Sequence, residues 1–124
     1  MTDTTVYLHS EFTIGEVDPR IFGGFLEHMG RAIYGGVYQP DSPHAESDGW
    51  RSDVLEALRG LDMTQVRYPG GNFASGYHWE DGVGPREARP TVRELAWQSI
   101  EPNSVGTDEF IDLADRMGWQ PMLS

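Results

Sequence analysis

The order of the predicted elements constrains the fold more than any other feature of the sequence. Short apolar runs typical of strands alternate with segments at helical spacing, in the order strand, long loop, helix, strand, long loop, helix, strand. Such alternation favours a parallel sheet with right-handed crossovers. Both long loops lie between a strand and the next helix. A (β/α) barrel and a doubly wound sheet both bind ligands on that side, so this feature alone does not separate them.

The strand predictions rest on runs of apolar, β-branched and aromatic residues. A leading strand or hairpin is predicted within residues 5–17, where Asp18-Pro19 then interrupts the pattern. Three further strands are predicted within residues 20–30, 63–69 and 119–124.

The two helix predictions rest on apolar stripes and on capping residues. The first helix has Asp48 as its predicted N-cap and ends near Gly60. The second is capped by Thr107, has acidic residues in its first turn, and ends at Gly118. The predicted buried stripes are Val54, Leu55, Leu58 and Leu61 in the first helix, and Phe110, Ile111, Ala114 and Met117 in the second.

The length of the chain limits how much of a barrel it can form. A complete eight-stranded barrel takes about 250 residues, whereas this chain has 124. Three barrel-type strands and two helices would leave an open sheet with exposed edges. The last predicted strand also runs to the end of the sequence. We therefore expect a truncated barrel.

Composition excludes several classes of function. The formal net charge is −11, from 20 acidic and 9 basic residues, which repels phosphate backbones and argues against nucleic-acid binding. The absence of cysteine excludes disulfides and thiolate zinc sites. No signal-peptide pattern and no apolar run of membrane-spanning length is found, so a soluble, cytoplasmic protein is expected.

Two motifs at predicted strand ends are candidates for ligand binding. Glu27, in "GGFLEHMG", is either a solvated strand-end acid or an acceptor for sugar hydroxyls, with general acid/base work as a further option. "PGGN", at 69–72, is either a tight turn or a bend that presents Asn72 and Arg67 to a ligand. It lacks the pattern of a phosphate-binding loop.

The loop aromatics and the histidines are further candidates for ligand binding. Four aromatics either pack the long loop onto the domain or form the walls of a sugar subsite; they are Phe73, Tyr77, Trp79 and Trp97. The histidines are scattered and form no metal-binding motif, so neither a metal nor another cofactor is expected.

Three segments, in this order, carry a resemblance to a known family: "DPRIFGGFLEHMGRAIYGGVYQP", "VRYPGGNFASGYHWEDGVGPREARP" and "LAWQSIEPNSVGTDEFIDLADRMGWQPML". They resemble the N-terminal part of the α-L-arabinofuranosidases of glycoside hydrolase family 51. The resemblance implies that residues 17–124 are part of a (β/α)8 TIM barrel, and it assigns the strand segment 1–16 to a β-sandwich. It also implies retaining hydrolysis of terminal non-reducing α-L-arabinofuranosyl groups, which needs two carboxyl groups about 5–5.5 Å apart.

The same resemblance implies roles for four residues. Glu27, Asn72 and Trp97 match substrate-binding positions, and Arg67 matches an arginine that keeps the nucleophile ionised. The family's acid/base and nucleophile follow the fourth and seventh barrel strands, so both are expected beyond Ser124 and the chain alone is expected to be inactive. The implied partner is an arabinose-containing oligo- or polysaccharide, and the full-length parent is expected to be a homo-oligomer without a membrane partner.

Two other functions stay open at this level. A related glycosidase would act on β-xylosides or β-glucans, and loops after later strands would decide that. A non-catalytic module would bind arabinose without hydrolysing it.

Overall fold

The computed structural model describes residues 2–124, and its helices and strands follow the predicted order. In chain order they are β1 (Gly24–Phe25), α1 (Ser52–Arg59), β2 (Gln65–Tyr68), β3 (Val92–Arg93), β4 (Ile100–Glu101), α2 (Thr107–Met117) and β5 (Gln120–Leu123).

A three-stranded parallel sheet forms the centre of the fold. The strand order is β1-β2-β5, with Val66 of β2 paired to Gly24 on one side and to Pro121 on the other. Pairing continues beyond β1, since the Leu26 N–H donates to the Arg67 carbonyl at 2.9 Å. The α/β class and the parallel sheet predicted from the sequence are therefore confirmed.

Helix α1 begins four residues later than its predicted cap. Arg51 occupies the N-cap position, and the Asp48 carboxylate instead accepts from the Trp50 N–H at 3.3 Å, so the prediction of Asp48 as N-cap is wrong. The predicted end at Gly60 is confirmed. Leu55 is fully buried, but Leu61 lies beyond the helix and is 65% exposed, so its place in the buried stripe is also wrong.

Helix α2 starts at Thr107 as its first helical residue, so the N-cap is Gly106 rather than the predicted Thr107. The Glu109 carboxylate accepts from the Gly106 N–H at 2.8 Å, which satisfies one of the free N–H groups at the helix start. The helix ends at Gly118 as predicted, with φ +72°, a left-handed conformation that glycine adopts without strain. Leu113 is buried in place of the predicted Ile111, which is 37% exposed.

The core lies between the sheet and the two helices. Tyr68 of β2 stacks on Phe110 of α2, with ring centroids 4.4 Å apart. Full burial of a large apolar side chain contributes about 1.5–3 kcal/mol. The fully buried residues include Ile33, Leu55, Val66, Val105, Leu113 and Ala114.

The N-terminal segment does not form the predicted strand. Between residues 2 and 23 the regular structure consists of two single 3-10 turns, Ser10–Phe12 and Pro19–Ile21. The apolar side chains there are exposed, Leu8 to 91% for example. A strand needs a neighbour to accept its hydrogen bonds, and no strand of residues 2–124 pairs with this segment, so the prediction is wrong for this chain.

Both long loops begin at the same end of the sheet, the carboxyl end of its strands, because β1 and β2 are parallel. The loop after β1 spans residues 26–51, and the loop after β2 spans residues 69–106. The second loop contains a small antiparallel hairpin, β3–β4, that the sequence did not predict. The two long loops therefore lie together at the carboxyl end of the sheet, where a parallel sheet binds its ligands.

Candidate functional site

Glu27 lies just beyond β1 and is the centre of the candidate site. Glu27 is only 9% exposed. Its carboxylate oxygen Oε1 accepts from the Phe73 N–H at 3.0 Å and from the Trp97 Nε1–H at 3.3 Å. Within residues 2–124, no group donates to its Oε2. The structure thus brings together two of the predicted site residues, Glu27 and Trp97, from positions 70 residues apart.

Gly70 of "PGGN" gives the Glu27 side chain its space. A Cβ built on Gly70 would lie 2.5 Å from Glu27 Cγ, which is too close for any side chain. A Cβ on Gly71 would be 3.8 Å from Glu27 Oε2, an ordinary contact. The close approach at Gly70 explains the glycine there, and the presentation of Asn72 and Arg67 to a ligand stays a prediction.

His28 is the next residue along the chain after Glu27 and is also buried. Its Nδ1 lies 2.8 Å from Glu101 Oε2, and its Nε2 lies 2.9 Å from the Tyr68 hydroxyl. The imidazole also stacks on the Phe73 ring, with centroids 4.5 Å apart. Glu27 and His28 therefore hold the backbone and the ring of the same residue, Phe73.

The Tyr68 hydroxyl ties this network to the loop before α2. It lies 3.1 Å from the Val105 carbonyl, to which it donates. Elements that are distant in the sequence are thus joined through a network of buried polar side chains.

Glu101 collects two further donors, the Tyr34 hydroxyl and the Asn103 N–H, the latter at 2.8 Å. Burial, and then the charge of Glu101, raise the pKa of Tyr34 above its ordinary value. Burial also raises the pKa of Tyr68. Both hydroxyls consequently keep their protons and remain donors at neutral pH.

Glu94 organises the turn between β3 and β4. Its buried carboxylate accepts from the backbone N–H groups of Ala96, Trp97 and Ser99 at 2.7–3.0 Å, and from the Ser99 hydroxyl at 3.1 Å. Burial alone would raise the pKa of Glu94. The hydrogen bonds that its carboxylate accepts, chiefly those from Trp97 and Ser99, outweigh burial and hold this pKa below its ordinary value.

An ion pair fixes the same loop to the start of α2. Arg89, whose side chain is 3% exposed, donates through Nη2 to Glu109 Oε1 at 2.8 Å and through Nη1 to Oε2 at 3.0 Å. Arg89 also donates to the carbonyls of Gly84 and Asn103. Burial opposes the ionisation of Glu109, yet the bonds from Arg89 and the Gly106 N–H keep its pKa low.

Asn72 and Arg67 lie near this centre without joining its hydrogen bonds. Asn72 is exposed, and its side chain makes no hydrogen bond to another residue of 2–124. The Arg67 guanidinium lies over the Phe25 ring, 5.0 Å from its centroid. Trp79 and Tyr77 instead line a separate apolar cavity of about 380 Å³ between Pro69 and Leu123.

Sequence reasoning missed the carboxylates that hold the loop, Glu94, Glu101 and Glu109, together with His28. In the sequence these acids look like solvated loop or helix residues. The one available signal was Glu109 three residues after Gly106, the spacing at which an acid binds a helix N-terminus. In the part of the chain that the structure describes, no cluster of three or more His, Asp or Glu side chains is arranged to hold a metal ion.

Comparison with known proteins places this geometry in a family. Residues 57–124, just over half of the chain, match the family model described as the alpha-L-arabinofuranosidase 1 domain. The chain belongs to this family. The resemblance read from the three sequence segments is therefore confirmed.

Curated arabinofuranosidases align with nearly all of the chain. It is 53% identical over 117 residues to the intracellular exo-α-(1→5)-L-arabinofuranosidase 1 of Bacillus subtilis, covering 94% of this chain and 23% of that protein. It is 50% identical over 118 residues to α-L-arabinofuranosidase C of Emericella nidulans, with coverages of 95% and 23%. The chain thus spans less than a quarter of the length of these relatives.

Solved structures of arabinofuranosidases have the same fold over this region. The family 51 enzyme from Bifidobacterium longum matches with a TM-score of 0.84 and 52% identity, over 86% of this chain and 21% of that one. An arabinose complex of the Thermotoga maritima enzyme matches with a TM-score of 0.80 and 50% identity, over 82% and 21%. The small α/β unit corresponds to part of a family 51 arabinofuranosidase.

Across the part of the chain that the structure describes, no helix is both long enough and apolar enough to cross a membrane.

Proposed function

We propose that residues 1–124 supply part of the arabinose pocket of a retaining α-L-arabinofuranosidase. The reaction is hydrolysis of terminal non-reducing α-L-arabinofuranosyl groups in arabinose-containing polysaccharides. One observation carries the proposal: the Glu27 carboxylate is held through Oε1 by two protein donors, while its Oε2 accepts from no group of residues 2–124. The names of the relatives and the arabinose complex of one solved structure give independent support.

The geometry of Glu27 suits a sugar hydroxyl. A carboxylate oxygen accepts a hydroxyl proton in a short, charge-assisted hydrogen bond. The two donors at Oε1 fix the plane of the carboxylate, so Oε2 offers its lone pairs in a defined direction. Trp97 donates to the same carboxylate and is 40% exposed, and in this proposal the apolar face of the sugar ring packs against its indole.

Asn72 and Arg67 take the other roles in the proposal. The exposed Asn72 amide binds a hydroxyl of the same sugar. Arg67 keeps the catalytic nucleophile ionised, because an opposite charge within about 4–6 Å lowers the pKa of a carboxyl group. The acid/base and the nucleophile are supplied by the length of protein that the relatives have in addition, and no residue of this chain is assigned to catalysis.

For the fold, we propose that residues 17–124 form the first part of a (β/α)8 barrel and that residues 1–16 join a β-sandwich. The sequential parallel order β1-β2-β5, with a helix between successive strands, supports the barrel assignment. The exposed apolar side chains of Val6, Leu8 and Ile14 support the β-sandwich, since a facing sheet would cover them.

The proposed setting follows from charge and from the relatives. The partner is an arabinose-containing oligo- or polysaccharide, while the net charge of −11 argues against nucleic acid. Two relatives are named intracellular, which supports a cytoplasmic location without a membrane partner. No cofactor is required by the proposed chemistry, and the full-length enzyme is proposed to be a homo-oligomer.

The test uses a protein of full length, made by joining residues 1–124 to the remaining C-terminal length of the Bacillus subtilis relative; it is called the joined enzyme below. We expect it to hydrolyse para-nitrophenyl α-L-arabinofuranoside and not the β-D-xyloside, and the 124-residue chain alone to hydrolyse neither. Preference for the xyloside would favour the other glycosidase function. Turnover by the isolated chain, abolished by Glu27→Gln, would overturn the assignment of Glu27 as a binding residue.

A further inference from the structure

We propose that Glu94 is a positioning residue: it holds the β3–β4 turn so that the Trp97 indole N–H stays on the Glu27 carboxylate. The inference rests on the proposed function, in which Glu27 binds the sugar. Glu94 itself faces the turn and not the sugar. It acts through Trp97.

The contacts of Glu94 fill the turn. β3 ends at Arg93 and β4 begins at Ile100, so the carboxylate sits at the start of the six residues that connect them. It accepts from three of the backbone N–H groups of that connection, including the N–H of Trp97. The Glu94 N–H in turn donates to the Ser99 carbonyl at 3.1 Å, which closes the turn.

Apolar packing does not replace these bonds. Leu95 and Ile100, on either side of the turn, are 73% and 64% exposed. Glu94, by contrast, is 8% exposed. A buried carboxylate with several N–H donors therefore orders the turn in place of a hydrophobic core.

Glutamine tests the role because it has nearly the same shape. Glu94→Gln exchanges one oxygen, which accepts, for an amide NH₂ group, which only donates. The new NH₂ group would face backbone N–H groups, which are also donors. The turn must then rearrange, and Trp97 is the residue through which the change reaches Glu27.

A double-mutant cycle in the joined enzyme separates this role from a general structural one. We expect Trp97→Phe to lower kcat/KM about 10- to 100-fold, as expected for loss of a hydrogen bond to a charged group and its effect on Glu27. Glu94→Gln should cost a similar factor, mostly in KM. In the Trp97→Phe background it should cost no more than about 2-fold further. Fold losses that multiply would overturn the proposal.

Two further variants serve as a control and as an alternative test. Glu87→Gln, at an exposed glutamate of the same loop, is the matched control and should leave kcat/KM unchanged. If Glu94→Gln does not fold, Ser99→Ala removes only one donor to Glu94. Its smaller loss should also disappear in the Trp97→Phe background, and a loss that persists there would contradict the proposal.

A spectroscopic measurement is independent of turnover. In fluorotryptophan-labelled joined enzyme, the Trp97 fluorine resonance is the one absent from Trp97→Phe. We expect it to shift and broaden in Glu94→Gln and to stay in place in Glu87→Gln. An unmoved resonance would overturn the positioning role even in an active enzyme, whereas a moved resonance in an enzyme that does not hydrolyse arabinofuranosides would reject the proposed function alone.

Discussion

His28 and Glu101 are 73 residues apart in the chain and form a buried pair, with His28 Nδ1 2.8 Å from Glu101 Oε2. Their side chains are 2% and 3% exposed. The pair joins the loop after β1 to strand β4, and the Tyr68 hydroxyl extends it to β2. The wall around Glu27 is therefore held by polar contacts between elements that are distant in sequence.

Removing one member of this pair should be costly. We expect Glu101→Ala to lower the free energy of unfolding by about 3–5 kcal/mol, because it leaves His28 Nδ1, the Tyr34 hydroxyl and the Asn103 N–H without their shared partner. The measurement is urea unfolding of the joined enzyme. Glu87→Ala, at an exposed position, should change the value by less than about 0.5 kcal/mol. Equal effects of the two substitutions would show that the pair contributes no net stability.

Gly70→Ala should weaken sugar binding by moving Glu27. The added Cβ would overlap Glu27 Cγ, so the carboxylate must leave its two donors. We expect kcat/KM of the joined enzyme for an aryl arabinofuranoside to fall at least 10-fold. Gly76→Ala is the control in the same loop, because its Cβ would meet nothing closer than 3.5 Å and its φ is −127°. A normal rate for Gly70→Ala would argue against the proposed place of the sugar.

The Arg89–Glu109 pair should make stability depend on pH in a defined direction. The pKa of Glu109 is lowered in the folded state from its ordinary 4.5. The contribution of the ionised Glu109 to the free energy of unfolding is therefore present above about pH 4.5. It is lost as the pH falls through the lower pKa that Glu109 has in the folded state. We expect Glu109→Gln to lower the free energy of unfolding of the joined enzyme by about 1.5–3 kcal/mol at neutral pH. The difference between this variant and the unsubstituted joined enzyme should shrink in acid.

The control for this pH dependence lies on the same helix. Asp112→Asn alters an exposed acid of α2. Unfolding free energies of the three proteins, measured from neutral pH down to pH 3, give the comparison. A Glu109→Gln difference that stays constant or grows in acid would contradict the ion-pair explanation.

Glu27→Ala in the joined enzyme should weaken binding without removing a chemical step. One or two charge-assisted hydrogen bonds, each worth about 1.5–3 kcal/mol, correspond to roughly 10- to 10⁴-fold in kcat/KM. Part of the loss should appear in kcat, because contacts to a distorting ring strengthen in the transition state. Azide should not restore activity. Formation of an arabinosyl azide would identify Glu27 as one of the catalytic pair.

The sequence predicted the parts of this fold that depend on local pattern. The strand at 65–68 and the helix ends at Gly60 and Gly118 depend on apolar spacing and on glycine, and all three are confirmed. Hairpin β3–β4 was missed because its strands have two residues each, too few to show alternation. The leading strand was wrong because its apolar pattern has no partner to pair with in residues 2–124.

The candidate site was predicted only where a residue stood out by type and place. Glu27 at a strand end and Trp97 in a loop were both predicted, and the structure joins them. Glu94 and Glu101 were missed because a loop carboxylate carries no mark of burial in the sequence. Their role depends on donors that come together only after the chain folds.

The hairpin of β3 and β4 makes the loop after β2 a folded unit before any sugar arrives. The conformational entropy of residues 92–101 is lost during folding, so a ligand does not have to offset it on binding. In the proposed pocket, association of the sugar then does not have to wait for this loop to close. For sugars that share the arabinose ring, differences in affinity should therefore reside in how fast each one leaves.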